Sequence, residues 1–130
     1  MSSICFANAP LGLDGLNINM KLSDVIKIKG EPTSKSEFAD YITDIYKYPN
    51  LEVHFNGEDV VGMYTASENI CTPEKVCIGS SLKNVQALYG KGHEKSNRIY
   101  EFYSKLAFTC WYRVSSTYGY VHSIEIACQP

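Results

Sequence analysis

The stretches INMKLSDVIKIKG (residues 18–30) and IGSSLKNVQALYG (residues 78–90) decide how this chain is read. Superposed at an offset of 60, they match at Ile18/Ile78, Leu22/Leu82, Val25/Val85 and Gly30/Gly90, with Ile28 against Leu88. Leu22, Val25 and Ile28 recur at the spacing of one apolar helix face. Ser23 in the first copy, and Ser80 or Ser81 in the second, are residue types that cap a helix start by accepting from an early backbone N–H. Gly30 and Gly90 stand where a helix ends on a left-handed residue, and Pro32 forbids continuation.

Working outward, each helix leads into strand-like runs. The first copy has Tyr41–Tyr48, Leu51–Phe55 and Val60–Thr65, with the hairpin signal Asn56-Gly57 between the last two. The second has Arg98–Ser104, Leu106–Val114 and Tyr120–Cys128. The expected fold class is therefore α+β: two tandem helix–three-strand units, residues 10–65 and 78–130, joined by residues 66–77. Half-domains of this size bury too little alone, so the units are expected to share one core or one continuous sheet.

Composition bounds the function. The chain has 130 residues, 45% of them hydrophobic, which is enough for a packed core. Twelve Lys and Arg against fourteen Asp and Glu leave a net charge of −2. That balance gives no electrostatic footprint for nucleic acid and no polybasic membrane patch. No apolar run approaches the roughly 18–20 residues that span a bilayer as a helix.

Cys71 and Cys77 bracket a proline-bearing loop, and folding the last hairpin about Gly119 puts Cys110 opposite Cys128 on one face. Two bridges, Cys71–Cys77 and Cys110–Cys128, follow from this and place the chain in a periplasm or outside the cell. Four reduced core cysteines are the competing reading. Neither the cysteine spacing nor His54, His93 and His122 suits a metal site, and no cofactor is called for. Residues 1–9 read either as the tail of an export signal carrying Cys5 or as a disordered terminus.

The pattern Gly79-Ser80-Ser81-Leu82, Val85, Leu88-Tyr89-Gly90, followed by hairpin strands ending Val121-x-x-Ile124, resembles the repeat of two groups of bacterial envelope proteins. These are the outer-membrane-assembly lipoproteins of the SmpA/OmlA type and the secreted β-lactamase inhibitor proteins. The first copy departs from the motif, with Asn19 in place of the glycine. The resemblance implies a tandem fold and a non-catalytic role, in which hairpin loops and a sheet face grip a partner enzyme. Glu58, Asp59 and Tyr118 occupy tip positions similar to the inserted loop residues of such inhibitors.

Enzymatic signatures are missing. Ser80-Ser81-Leu82-Lys83 matches the S-x-x-K nucleophile motif, but its companion elements are absent and a helix cap accounts for it. No G-x-S-x-G occurs, Glu58 and Asp59 sit at a solvated tip, and His122 falls on the apolar face by alternation. Alternation instead puts Ile99, Glu101, Tyr103, Thr109, Trp111, Arg113, Val121, Ser123 and Glu125 on the face away from the helix. Lys47, Glu52, His54, Val61 and Met63 join them from the first copy. Trp, Tyr and Arg in a polar field compose a protein-binding hot spot, unless these aromatics merely pack between the units. The expected partner is another protein, an enzyme or toxin, bound through Trp111, Tyr103, Arg113, His54, Glu58, Asp59 and Tyr118. The chain would act as an inhibitor or immunity-type protein, with an envelope-assembly role as the alternative.

Overall fold

The computed structural model describes residues 5–6, 10–104 and 109–130. The expected signal remnant, apart from the backbone of Cys5 and Phe6, lies outside these residues, as do Leu106 and Phe108. Chain order runs β1 (Cys5–Phe6), β2 (Gly12–Leu13), β3 (Leu16–Asn17), α1 (Leu22–Lys29), β4 (Ser34–Glu37), β5 (Asp44–Tyr48), β6 (Leu51–Asn56) and β7 (Asp59–Thr65). It continues with α2 (Leu82–Tyr89), β8 (His93–Ser96), β9 (Ile99–Ser104), β10 (Cys110–Thr117) and β11 (Tyr120–Cys128).

Nine of these strands form one sheet in the order β1-β9-β10-β11-β7-β6-β5-β4, with β8 also paired to β9. All pairings are antiparallel except that of β1 with β9. This corrects the expected α+β class of two helix–three-strand units. The chain is mostly β, and its two described helices have only eight residues each. Four strands rather than three follow each helix. The pairing of β7 with β11, Met63 opposite Ile126 and Thr65 opposite Ile124, runs the strands of both halves into one sheet. The overlooked strands, β4 (SKSE) and β8 (HEKS), are short and polar along their whole length. Charged, short strands are how a sheet blunts its edges, and they carry no alternation to read.

One sheet face holds the core. Across it run Phe102, Tyr112, Ile126, Met63, Val53 and Tyr46 in register, then Tyr100, Val114, Ile124 and Thr65. Val25 of α1, Val85 and Tyr89 of α2, Leu11, Leu13 and Leu16 around the β2–β3 hairpin, and Ile70 and Val76 of the disulfide loop pack with this face in one buried cluster. Tyr89 stacks on Tyr112 with ring centroids 5.3 Å apart. The Tyr112 hydroxyl accepts from Gly12 N–H at 2.9 Å and reaches Gly12 C=O at 3.2 Å.

The helix ends differ from expectation in detail. Lys21, not Ser23, stands at the start of α1, where its own N–H donates to the Asp24 carboxylate at 3.0 Å. Ser81 caps α2 through its hydroxyl, which accepts from Asn84 N–H at 3.1 Å. The Ser80 hydroxyl accepts from Cys77 N–H at 2.9 Å, so both serines of the S-x-x-K string serve the backbone. Ile28 and Leu88, placed on the buried face by periodicity, are about half exposed (53% and 47%). An eight-residue helix covers so little of the sheet that it buries only Val25 in α1 and Val85 and Tyr89 in α2.

Both disulfides are formed. Gln129 N–H donates to Thr109 C=O, which makes Cys110 and Cys128 a non-hydrogen-bonded pair, with Cα atoms 4.0 Å apart. Cys71 and Cys77 form such a pair too, between the Thr72–Val76 and Ile78–Ile70 backbone bonds. Pairs of this kind bring Cα atoms closest, where a bridge spans adjacent strands.

Candidate functional site

With the helices, the β2–β3 hairpin and the disulfide loop on one side, no described element covers the opposite sheet face. Two rows cross it. The first is charged: Glu101, Arg113, Glu125, Tyr64, Glu52 and Lys47 stand side by side in register. In the second row Tyr103, Trp111 and Ala127 are in register, and farther along on β6 stands His54, opposite Gly62.

Arg113 organises the first row. Its Nε and Nη2 donate to Glu101 Oε2 at 3.1 and 2.9 Å, and its Nη1 donates to Glu125 Oε1 at 3.1 Å. Glu101 is almost fully buried (2% exposed) and also accepts from the Tyr103 hydroxyl at 3.0 Å. Burial works against the Arg113 charge, but hydrogen bonding and proximity to Glu101 and Glu125 outweigh it and hold its pKa above the ordinary value. Burial, then donation to Glu101, raises the Tyr103 pKa. Three of the guanidinium's five N–H donors are thereby committed to the two carboxylates.

Tyr103 also carries the aromatic patch, lying 5.5 Å from the Trp111 ring and 5.8 Å from the edge-on His93 ring. Trp111 Nε1 is buried with no hydrogen-bond partner among the described residues. Of the residues singled out from sequence, Trp111, Tyr103 and Arg113 thus come together. His54 shares their face but stands three strands away, leaning over Gly62 with Nε2 3.4 Å from Glu52 Oε1.

The remaining three sit at hairpin tips braced on the helix starts. Leu22 N–H donates to Glu58 C=O and Leu82 N–H to Gly119 C=O, both at 2.8 Å. Asp59 is ion-paired with Lys21, so the acidic tip is partly neutralised. Tyr118 is 94% exposed and Tyr120 beside it 57%. Tyr118 holds φ +52° and Gly119 φ +81°, the pair of left-handed residues that a tight two-residue hairpin demands. Asn or Asp is the ordinary choice at the first of these positions, and a bulky ring there is an outlier.

Two bulges overturn part of the sequence-based face assignment. A register shift at His54/Phe55 turns Met63 into the core, fully buried, and brings Tyr64 onto the open face. A second, at Ser115/Ser116, buries Val121 and exposes His122, which was expected on the apolar side. Strict alternation missed Tyr64. The isolated Gly62 inside a strand was the available signal, since glycine there often marks a bulge or a close backbone approach. A Cβ at Gly62 would meet Ile126 C=O at 2.8 Å.

Among the described residues no group of three or more His, Cys, Asp or Glu could hold a metal ion. No protein-family model matches the chain, and no curated protein does, so neither envelope-protein resemblance gains support there. A search of solved structures finds a likeness to an extracellular protein containing an SCP domain from Bacillus anthracis str. Ames. The TM-score is 0.63 at 13% identity, covering 88% of this chain and 45% of that one. At that identity the likeness concerns the fold, and this chain spans just under half the length of the solved protein.

Proposed function

We propose that this is an exported, non-catalytic protein-binding module that occludes a partner protein, in the manner of an inhibitor or immunity-type protein. The observation that carries the reading is the sheet face that no described element covers although it bears Trp111, Tyr103 and Tyr64. Glu101, Arg113 and Glu125 are paired within the face, so covering that part costs less desolvation than burying free ions would. Tyr and Trp supply contact area with little rotamer freedom to lose. Tyr118, projecting from a braced tip, adds a second anchor, and a strained, exposed aromatic is a reasonable mark of function. Two disulfides fit an oxidising compartment, as does the extracellular nature of the structural neighbour.

The test is affinity capture from the culture fluid and envelope of the native organism, using the oxidised protein and its Trp111→Ala and Tyr118→Ala variants. A specific protein retained by the parent and weakened about thirtyfold or more by either variant supports the reading, as hot-spot residues contribute about 2 kcal/mol or more. Capture indifferent to both substitutions would sink it. Near-UV circular dichroism of each variant separates lost contact from lost folding.

A further inference from the structure

The open face has a socket at its centre whose chemistry names the partner's anchor. Glu125, Tyr64 and Glu52 stand in register on three successive strands, β11, β7 and β6. Two strand spacings separate the Cα atoms of the two glutamates by roughly 9–10 Å, with Tyr64 between them in the row. Both side chains are about one-third exposed, 31% and 34%. In the adjacent row Ala127, half-buried and small, stands next to Trp111. Trp111 and Ala127 thus stand in one row and Tyr64, between two glutamates, in the next.

The charge count across this row has one sign. Glu101, Glu125 and Glu52 contribute three negative charges against Arg113 and Lys47, an excess of one. Arg113 is shared between Glu101 and Glu125, leaving Glu125 with a single donor, while Glu52 has only the long contact to His54. Lys47 stands opposite Glu52, yet no ion pair joins them among the described contacts. The acids at the socket are the under-neutralised ones.

We propose that the partner protein seats a basic side chain, lysine or arginine, over Tyr64 between Glu125 and Glu52, with its aliphatic stem on Ala127 against Trp111. This rests on the reading of the sheet face as a docking surface and specifies what docks. An aromatic face flanked by carboxylates attracts a cation through the ring quadrupole and through charge. The same arrangement repels an acidic segment, which gives the face selectivity as well as attraction.

Displayed random peptides selected on the immobilised, oxidised protein test this without knowledge of the natural partner. Enriched peptides are then synthesised, titrated by fluorescence anisotropy and mapped by ¹H–¹⁵N shifts of the protein. The expected result is peptides with an obligatory Lys or Arg, shifting the amides of Tyr64, Glu52 and Ala127. Replacing that residue by Gln, or Glu52→Gln in the protein, weakens binding at least fivefold, and the two changes together cost little more than either alone. Glu125→Gln repeats the test at the second acid. Peptides that map to this face but need no basic residue overturn the socket and leave the docking surface standing. Peptides that map elsewhere, or no enrichment at all, overturn the docking surface itself.

Discussion

The two helices of this chain occupy equivalent places and end in opposite chemistry. Each has eight residues, one buried valine at the same step (Val25, Val85), and a following glycine at positive φ. At the last helical position α1 has Lys29, ion-paired with Asp14, where α2 has Tyr89, buried against Tyr112 and Phe102. At the hairpin tip that braces each helix, the first half presents Glu58 and Asp59, and the second presents Tyr118 and Tyr120. The scaffold thus holds charge at Lys29 and Asp59, where the second half has Tyr89 and Tyr120, and glycine at Gly57, where the second half has Tyr118. Aromatic residues at the second tip are therefore not a demand of the fold.

Predictions that would break or sharpen this contrast run from large to small. Tyr89→Ala is expected to cost about 3–5 kcal/mol in chemical denaturation, the range for emptying a buried aromatic site, whereas Lys29→Ala costs less than about 1 kcal/mol. Equal costs would mean that the ion pair and the buried ring are equivalent anchors. Cys110→Ala/Cys128→Ala is expected to lose about 3 kcal/mol and Cys71→Ala/Cys77→Ala about 2 kcal/mol, following the lengths of the loops they close. A reversed order would show that the disulfide loop, with Ile70 and Val76 in the core, stabilises through native packing instead.

Smaller effects separate stability from binding. Ser81→Ala should cost about 1 kcal/mol through the lost cap, while Ser23→Ala, which caps nothing, should stay within about 0.5 kcal/mol. Tyr118→Asn should leave stability unchanged or raise it by up to about 1 kcal/mol, because Asn accepts the left-handed conformation more readily. The same variant should lose partner affinity. A fall in melting temperature at Tyr118→Asn would instead assign the ring a structural role.

Much of the fold was legible where a residue's neighbours in sequence are also its neighbours in space. The two helices and the Asn56-Gly57 hairpin follow from local spacing and a turn, and they hold. Cys110 does stand opposite Cys128, but through the bulge at Ser115/Ser116, since the Tyr118-Gly119 turn alone would pair it with Ala127. The two polar edge strands were not legible, because Ser34–Glu37 and His93–Ser96 alternate nothing and are strands only because a neighbouring strand offers them hydrogen bonds. Face assignment failed where bulges slip the register. Met63 and Tyr64 exchange sides at one, and Val121 and His122 at the other, and each slip depends on pairing with a distant strand.

The sequence by itself determined the periodicity, the turns, the cysteine pairs and the absence of a strongly charged surface, since these are set by local sterics and composition. Only the tertiary structure decided that four strands follow each helix, that β7 and β11 run both halves into one sheet, and that Glu125, Tyr64 and Glu52 meet. Those three residues come from strands as far as 73 positions apart. Their meeting is a matter of ladder register, which is set by hydrogen bonds and core packing between segments that share no local signal.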